Sequence, residues 1–509
     1  MTEDGAYQTL EHRYHKLAVL GGVHRMLHWD SQTMMPAGGA GDRAEQTAAI
    51  ALVRHELLTD PSLDELLCRA EAVDMATLDS WQAANLAEMR RLWVHANAVD
   101  GRLVEALAKA VSASESCWRE ARPANDFASF APRMGEVLAL VRETAVARAE
   151  ALDCTPYDAL LDSYEPHGRG ARIDALFDRL AGFLPGFLAR VIEDQAAAPA
   201  PLALEGPFPI DAQRALGRRL MEAVGFDFDH GRLDESGHPF SSGTPGDTRI
   251  TTRYNEADFT MSLMAVLHET GHAMYERGLP AAWRYQPVGE AAGMSVHESQ
   301  SLLLEMQACR SRAFTEFAAP LMREAFGGNG PAWEAENIYR LNIRVAPGLI
   351  RVYADEVTYP AHIMLRYGLE KSLISGDLAI ADLPGAWADG MNDLLGITPH
   401  NDRDGCMQDI HWAAGAYGYF PTYTLGALNA AQLYDTARSA DSDIEAGLAR
   451  GDFKPLLAWL RSHVHGQGAS LGPAELIEQA TGRPLDVGVF ESHLAARYLP
   501  SSSPAGDCK

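Results

Sequence analysis

His268-Glu269-Thr270-Gly271-His272 is the stretch that most limits what this chain can become. On a helix, residues i and i+4 lie one turn apart on the same face, so two imidazoles at that spacing can aim at one point. Phe259, Leu263, Val266, Leu267, Ala273 and Met274 recur at helical spacing, and no proline interrupts Asn255 to Gly278. The segment therefore reads as an amphipathic helix that Gly278-Leu279-Pro280 stops. Imidazole nitrogens so placed suit one Zn²⁺, with Glu269 positioned as general base for an attacking water. Gly271 costs the helix about 1 kcal/mol relative to alanine, which points to close approach of the metal, the substrate or a neighbouring helix.

H-E-x-x-H arises by accident in about one chain in twenty-five of this length and composition, so a third ligand is needed. Downstream, the run from Gly289 to Leu302 opens another helix, and Glu290, His297, Glu298 and Glu305 could each complete a His₂-carboxylate or His₃ set. Met294 precedes Glu298 by one turn and Leu302 follows by one, which puts Glu298 on an apolar, inward-facing stripe. His297 shares a more polar row with Gly293 and Ser301. Helical phase favours Glu298 and leaves His297 open.

A chain of 509 residues, 47% hydrophobic and 22% charged, has the make-up of an ordinary globular protein with a large core. Its net charge of -26 argues against nucleic acid or an anionic membrane as the main partner. Cys68, Cys117, Cys154, Cys309, Cys406 and Cys508 show no paired spacing, so neither a disulfide framework nor a thiolate zinc site is expected. The acidic start Met1-Thr2-Glu3-Asp4-Gly5 carries no signal-peptide pattern, and no apolar run is long enough to span a bilayer. The compartment expected is a reducing cytoplasm.

Tyr7 to Met26, Gly41 to Leu58, Asp74 to Val99, Gly101 to Glu120 and Ala131 to Leu152 read as amphipathic helices, with a start at Asp60-Pro61. His28-Trp29-Asp30 and Met35-Pro36 break the helices early, as packing and capping residues commonly do. Pro199 to Pro209 reads as a spacer before a helix that Asp211 caps. Phe226-Asp227-Phe228 and Thr248 to Tyr254 alternate as strands do, with a turn at Ser241-Ser242-Gly243. A small sheet is expected there, and a strand edge beside the metal helix would let an extended peptide hydrogen-bond along it. Helices return after residue 280 through Ala446, and Ser501 to Gly506 reads as a frayed end.

Two later clusters stand out. Ile350 to Tyr359 sets Arg351 among apolar residues on an apparent helix. Its planar fork could grip a carboxylate bidentately, or simply pair with Asp355 at i,i+4. Gly405 to Tyr423 crowds His411 and several tyrosines among glycines, a set able to stabilise an oxyanion or to serve as aromatic core.

Five ordered motifs carry a resemblance to the carboxypeptidase Taq family of zinc metallocarboxypeptidases. They are Asp247-Thr248-Arg249-Ile250-Thr251 (D-x-R-x-T), His268 to His272, His297 to Gln300 (H-E-S-Q), Ile350 to Asp355 (I-R-x-x-A-D) and Gly405 to Trp412 (G-x-x-Q-D-x-H-W). Leu27 to Asp30 and Met35-Pro36 are similar to the family's amino-terminal pattern. The resemblance implies a mainly α fold, a two-lobed helical shell around a deep groove with a small β-sheet beside the metal helix, similar to neurolysin. It implies one catalytic domain over 1–509, with a helical layer or lid to about residue 200 and a metal-site region over about 211–500.

The implied activity is release of single amino acids from the C-termini of short peptides. It uses one Zn²⁺ per chain, for which Co²⁺ can substitute, in a cytoplasmic homodimer. His268, His272 and Glu298 would be the ligands and Glu269 the base. Arg351 would anchor the substrate carboxylate, with Arg249 and Gln408 also binding substrate. His411 and a following tyrosine, Tyr417 ahead of Tyr419 and Tyr423, would face the tetrahedral intermediate. The rivals are a zinc endo-oligopeptidase of similar fold, which would cleave amidated peptides, and a non-catalytic helical binding protein.

Overall fold

The computed structural model describes residues 5–75 and 77–499. Helices dominate, and the sheet found among the described residues has three short strands, so the expectation of a mainly α fold with a small sheet is met. The expected frayed end at Ser501–Gly506, and Cys508, lie outside the described residues.

Packing divides the chain into two compact units, each made from three segments. The first joins Met1–Ala96, Pro201–Asn342 and Asn429–Leu485; the second joins Asn97–Ala200, Ile343–Leu428 and the segment from Asp486. The chain passes from one unit to the other at Ala200–Pro201, near the boundary expected from the sequence, and also crosses after Ala96, Asn342, Leu428 and Leu485. The reason is long-range pairing that local periodicity cannot register. In the first unit, fully buried Asn85 donates to Tyr7 Oη (3.1 Å) and Gln286 Oε1 (3.2 Å). In the second, Arg142 Nε donates to the Leu373 carbonyl (2.9 Å) and Tyr157 Oη to Glu370 Oε2 (3.0 Å).

Local signals account for many helix ends. Asp60 accepts from Ser62 N–H at the start of Pro61–Arg69, Asp100 caps Gly101–Ala124, and Asp126 caps Phe127–Leu152. Other expectations move. The first helix runs unbroken from Ala6 to Thr33, so His28-Trp29-Asp30 are helical: Asp30 pairs with Arg43 (2.7 Å), and Trp29 is buried beneath Arg249 and Arg232. The helix expected from Asp74 spans Ser80–Asn97. Pro209, not Asp211, occupies the N-cap of Ile210–Val224, and Asp211 falls in its first turn.

The sheet lies in the first unit. Strand β1 (Gly231–Glu235) runs parallel to β3 (Asp247–Thr252), and β2 (Ser241–Thr244) is antiparallel to β3, giving the order β1-β3-β2. Phe226-Asp227-Phe228 precedes β1 without joining it. Its two rings pack on each other at 4.9 Å, so the alternation serves burial rather than pairing. Ser241-Ser242-Gly243, expected as a turn, is the body of β2. Part of the anticipated open edge is already taken, because Arg25 Nε donates to the Gly243 carbonyl at 2.7 Å.

From β3 the chain enters the HExxH helix, Phe259–Gly278, capped by Asp258 through Thr260 N–H. Leu263, Val266, Leu267, Ala273 and Met274 are buried along it, each large apolar side chain worth about 1.5–3 kcal/mol against exposure. The next long element, Met294–Leu302, packs against it and passes into a wider π-turn, Leu303–Ala308. A Cβ on Gly271 would stand 2.4 Å from the Gln300 carbonyl oxygen and 2.6 Å from Ser301 Cα. Of the three explanations considered for this glycine, the neighbouring helix is the one realised.

Candidate metal centre and guanidinium cluster

His268 and His272 sit one turn apart with rings 5.0 Å between centroids. Their Nε2 atoms lie 3.9 and 3.5 Å from Glu298 Oε2, and one ligand atom from each of the three residues falls within 4.8 Å of the others. His297 and Glu305, the nearest rivals for third ligand, lie on the other side of the rings. His297 Nδ1 is 2.7 Å from His272 Nδ1, and its Nε2 is 2.9 Å from Glu276 Oε1. Glu305 Oε2 is 3.1 Å from His268 Nδ1. Glu290 lines a cavity instead.

Two imidazoles and a carboxylate facing one point are a donor set for a divalent ion of the zinc type. The charge balance agrees. Glu269, Glu298 and Glu305 are buried around the two rings, with Arg310 as the cation paired to Glu305 (2.8 Å). Burial alone would lower the proton affinity of His268, yet the carboxylates of Glu305, Glu298 and Glu269 outweigh it and lift its pKa to about 10. Such an excess of negative charge calls for a cation. Burial pushes Glu269 up to about 7 even with His268 beside it, which suits a group that must both take and return a proton.

Around this set, Gln300 Oε1 meets His465 Nε2 at 3.0 Å in the buried interior, and Asn429 Nδ2 donates to Ser295 Oγ at 3.3 Å. The helix carrying Glu298 is thereby held from behind. A cavity of about 860 Å³ opens in the same unit, and Trp29, Arg249, Glu276, Glu290 and His297 line part of it. Arg249 is one of these lining residues. It is bidentate to Asp247 (3.0 and 2.8 Å) and lies 4.1 Å over the Trp29 ring.

The second unit gathers Arg351, Gln408 and His411. Arg351 lies on a short 3₁₀ turn, Arg351–Tyr353, rather than the helix expected over 350–359. Its partner is not Asp355, which accepts from the backbone N–H groups of Ala346, Val357 and Thr358. Arg351 Nε and Nη2 donate instead to Asp409 Oδ1 (3.1 and 2.9 Å), while Arg366 Nε donates to Asp409 Oδ2 (2.7 Å). Burial opposes ionisation of Asp409, but the two guanidiniums hold it well below the usual carboxylate range. Two guanidiniums on one carboxylate leave a surplus positive charge able to receive a second carboxylate.

Gln408 is spent on this turn. Its Oε1 accepts from Arg351 N–H (2.9 Å), and its Nε2 donates to the carbonyls of Leu349 (2.9 Å) and Asp404 (3.0 Å). The substrate-binding role expected for it becomes one of holding Arg351 in place. Tyr417 also needs correction. It is 1% exposed, stacks on Trp412 at 13°, and its hydroxyl is buried without a partner. Tyr423 Oη lies 3.3 Å from His411 Nε2 and its ring 4.8 Å from the Arg351 guanidinium, while the Tyr419 ring packs on His411 at 5.6 Å. Burial, with help from Arg351 and Arg366 against Asp409, brings His411 down to about 4, so its imidazole is neutral near pH 7.

Sequence reasoning missed Arg310, Glu276, Asp409 and Arg366. Asp409 and Arg366 carry no local pattern that reveals a shared ion pair 43 residues apart. Glu305 was visible as a candidate ligand, but not as the partner of a ligand's other nitrogen.

The model of the family described as carboxypeptidase Taq (M32) metallopeptidase matches residues 9–498. The chain is 40% identical to thermostable carboxypeptidase 1 of Thermus thermophilus, over 98% of this chain and 99% of that one. Among solved structures it is similar to Trypanosoma cruzi metallocarboxypeptidase 1, with a TM-score of 0.95 at 41% identity over 97% of this chain and 99% of that one. An M32 carboxypeptidase from Deinococcus radiodurans gives 0.90 at 36% identity, over 97% and 99%.

Proposed function

The chain belongs to the carboxypeptidase Taq (M32) metallopeptidase family and is a metallocarboxypeptidase; we propose that it holds one Zn²⁺ on His268, His272 and Glu298 and trims short peptides from their free C-termini. The observation that carries the metal assignment is the convergence of two imidazole Nε2 atoms on the Glu298 carboxylate amid surplus negative charge. Co²⁺ fits the same donors. The ion's chemistry when bound is to acidify a water and polarise the scissile carbonyl.

The chain's own residues supply the rest. The Glu269 carboxylate takes a proton from the attacking water and returns it to the departing amine nitrogen. Arg351, with Asp409 and Arg366 fixing its fork and Gln408 fixing its backbone, holds the substrate's terminal carboxylate and so selects the last peptide bond. Neutral His411 and Tyr423 donate to the oxyanion, the latter replacing Tyr417 in this role. Arg249, tied to Asp247, shapes the cavity wall near the sheet. The chain acts as a single catalytic domain and as a homodimer. Its scattered cysteines, unpaired among the described residues, favour a reducing cytoplasm, and among the described residues no helix is long and apolar enough to cross a membrane.

Mass spectrometry of a defined peptide with purified protein tests the reading. A ladder shortened only from the carboxyl end, abolished by chelator and restored by Zn²⁺, is expected. Glu269→Gln should retain the metal and lose most turnover. Full activity in that variant would refute the base assignment.

A further inference from the structure

We propose that Glu305 is a positioning residue for the metal centre: clamped by Arg310, its carboxylate orients the His268 ring and leaves Nε2 as the ring's free donor. The proposal rests on reading His268 as a metal ligand. Glu305 was one of four residues able to complete the ligand set by sequence, and the geometry gives it different work. Its Oε2 stands 3.1 Å from Nδ1 of His268, whereas the opposite nitrogen, Nε2, is the one that shares a focus with His272 and Glu298.

A neutral imidazole carries its proton on one nitrogen only. A carboxylate at Nδ1 fixes it there, which frees the Nε2 lone pair and raises its basicity as a ligand. Glu305 is itself braced. Its Oε1 accepts from Arg310 Nη2 (2.8 Å), and Arg310 Nη1 donates to the Asn342 carbonyl (3.0 Å). Both carboxylate oxygens are engaged, so the group cannot turn away without breaking a charge-assisted bond.

The backbone explains how it arrives there. Glu305 lies within the π-turn Leu303–Ala308 that continues the helix bearing Glu298. A wider turn rotates the side chains that follow relative to an uninterrupted α-helix. One continuous element therefore presents Glu298 towards Nε2 of His268 and Glu305 towards Nδ1. The two histidines are held unequally: His272 Nδ1 meets the backbone carbonyl of His297 at 3.1 Å and its Nδ1 at 2.7 Å, neither of them a carboxylate. His268 is the one of the two with a carboxylate directly at Nδ1, and Glu305 supplies it.

Glu305→Ala and Glu305→Gln test this in the full-length chain. Zn²⁺ affinity is read by competition with a chromophoric chelator, ligand geometry by the visible bands of the Co²⁺ form, and folding by thermal melting of the apo-protein. Glu305→Ala should bind Zn²⁺ about 10–100-fold more weakly, with shifted Co²⁺ bands. At saturating metal, kcat should fall with little change in KM. Glu305→Gln, whose amide oxygen can still accept from Nδ1–H, should lose less affinity, and it carries the test alone if the alanine variant does not fold. Folded variants that bind Zn²⁺ within twofold of the parent and show unchanged Co²⁺ bands would overturn the role of Glu305 and leave the metal assignment standing. A parent chain that takes up neither ion would overturn both.

Discussion

Gly271→Ala asks whether the packing of two helices, and not only the identity of the ligands, builds the metal centre. The new Cβ would meet the Gln300 carbonyl oxygen at 2.4 Å and Ser301 Cα at 2.6 Å, both backbone atoms that cannot swing aside as a side chain would. Ordinary contact begins at 3.4 Å, so the Met294–Leu302 helix has to retreat by roughly an ångström. Two effects oppose each other. Alanine gains about 1 kcal/mol of helix propensity over glycine, while overpacking costs about 1–3 kcal/mol. The upper half of that range applies because the clash is with main chain, which gives a net loss of about 1–2 kcal/mol. Glu298 lies two residues before Gln300 and moves with it, so Zn²⁺ binding should weaken about tenfold or more, equivalent to about 1.4 kcal/mol per decade. Thermal melting of the apo-protein reads the first loss, and a chelator-competition titration reads the second. A variant as stable as the parent, binding Zn²⁺ equally well, would refute the claim that helix separation sets the ligand geometry.

Arg351→Ala should raise KM about tenfold or more for peptides with a free C-terminus and leave any activity on amidated peptides unchanged; equal losses on both would count against the anchor. The variant should fold, because Asp409 keeps Arg366 as its partner. Tyr423→Phe should lower kcat about tenfold or more. Tyr417→Phe should leave turnover unchanged and stability neutral or up by about 1 kcal/mol, since it removes a buried hydroxyl with no partner; the reverse pattern in steady-state kinetics would restore Tyr417 as the oxyanion donor. Glu370 accepts from Trp412 Nε1, Gly418 N–H and Tyr157 Oη, yet burial outweighs these donors and pushes it up to about 7. A carboxyl raised on folding binds more protons in the native state, so its contribution is complete below the unfolded value near 4.5 and is lost as pH climbs through about 7. Denaturant melts of the parent should lose that contribution between those limits. Glu370→Gln should be less stable at low pH, having fewer acceptors, and should lack the decline; an identical pH slope in both would refute the assignment.

Local sequence sufficed for a good deal. The four-residue spacing of His268 and His272, the acid between them and the unbroken apolar periodicity around them specify a helix with a metal-binding face, because helical geometry alone puts i and i+4 side by side. Helical phase preferred Glu298, and the cap at Asp60 falls where short-range hydrogen bonding demands. What escaped were facts of distance. Whether Arg351 pairs with Asp355 or with Asp409, whether Tyr417 or Tyr423 reaches His411, and which of His297, Glu298 and Glu305 faces Nε2 all depend on where remote segments settle. The interior is close-packed, and a charge taken from water must find a partner wherever the fold supplies one. Periodicity reports which face of a helix is buried, while the tertiary structure decides what lies opposite it.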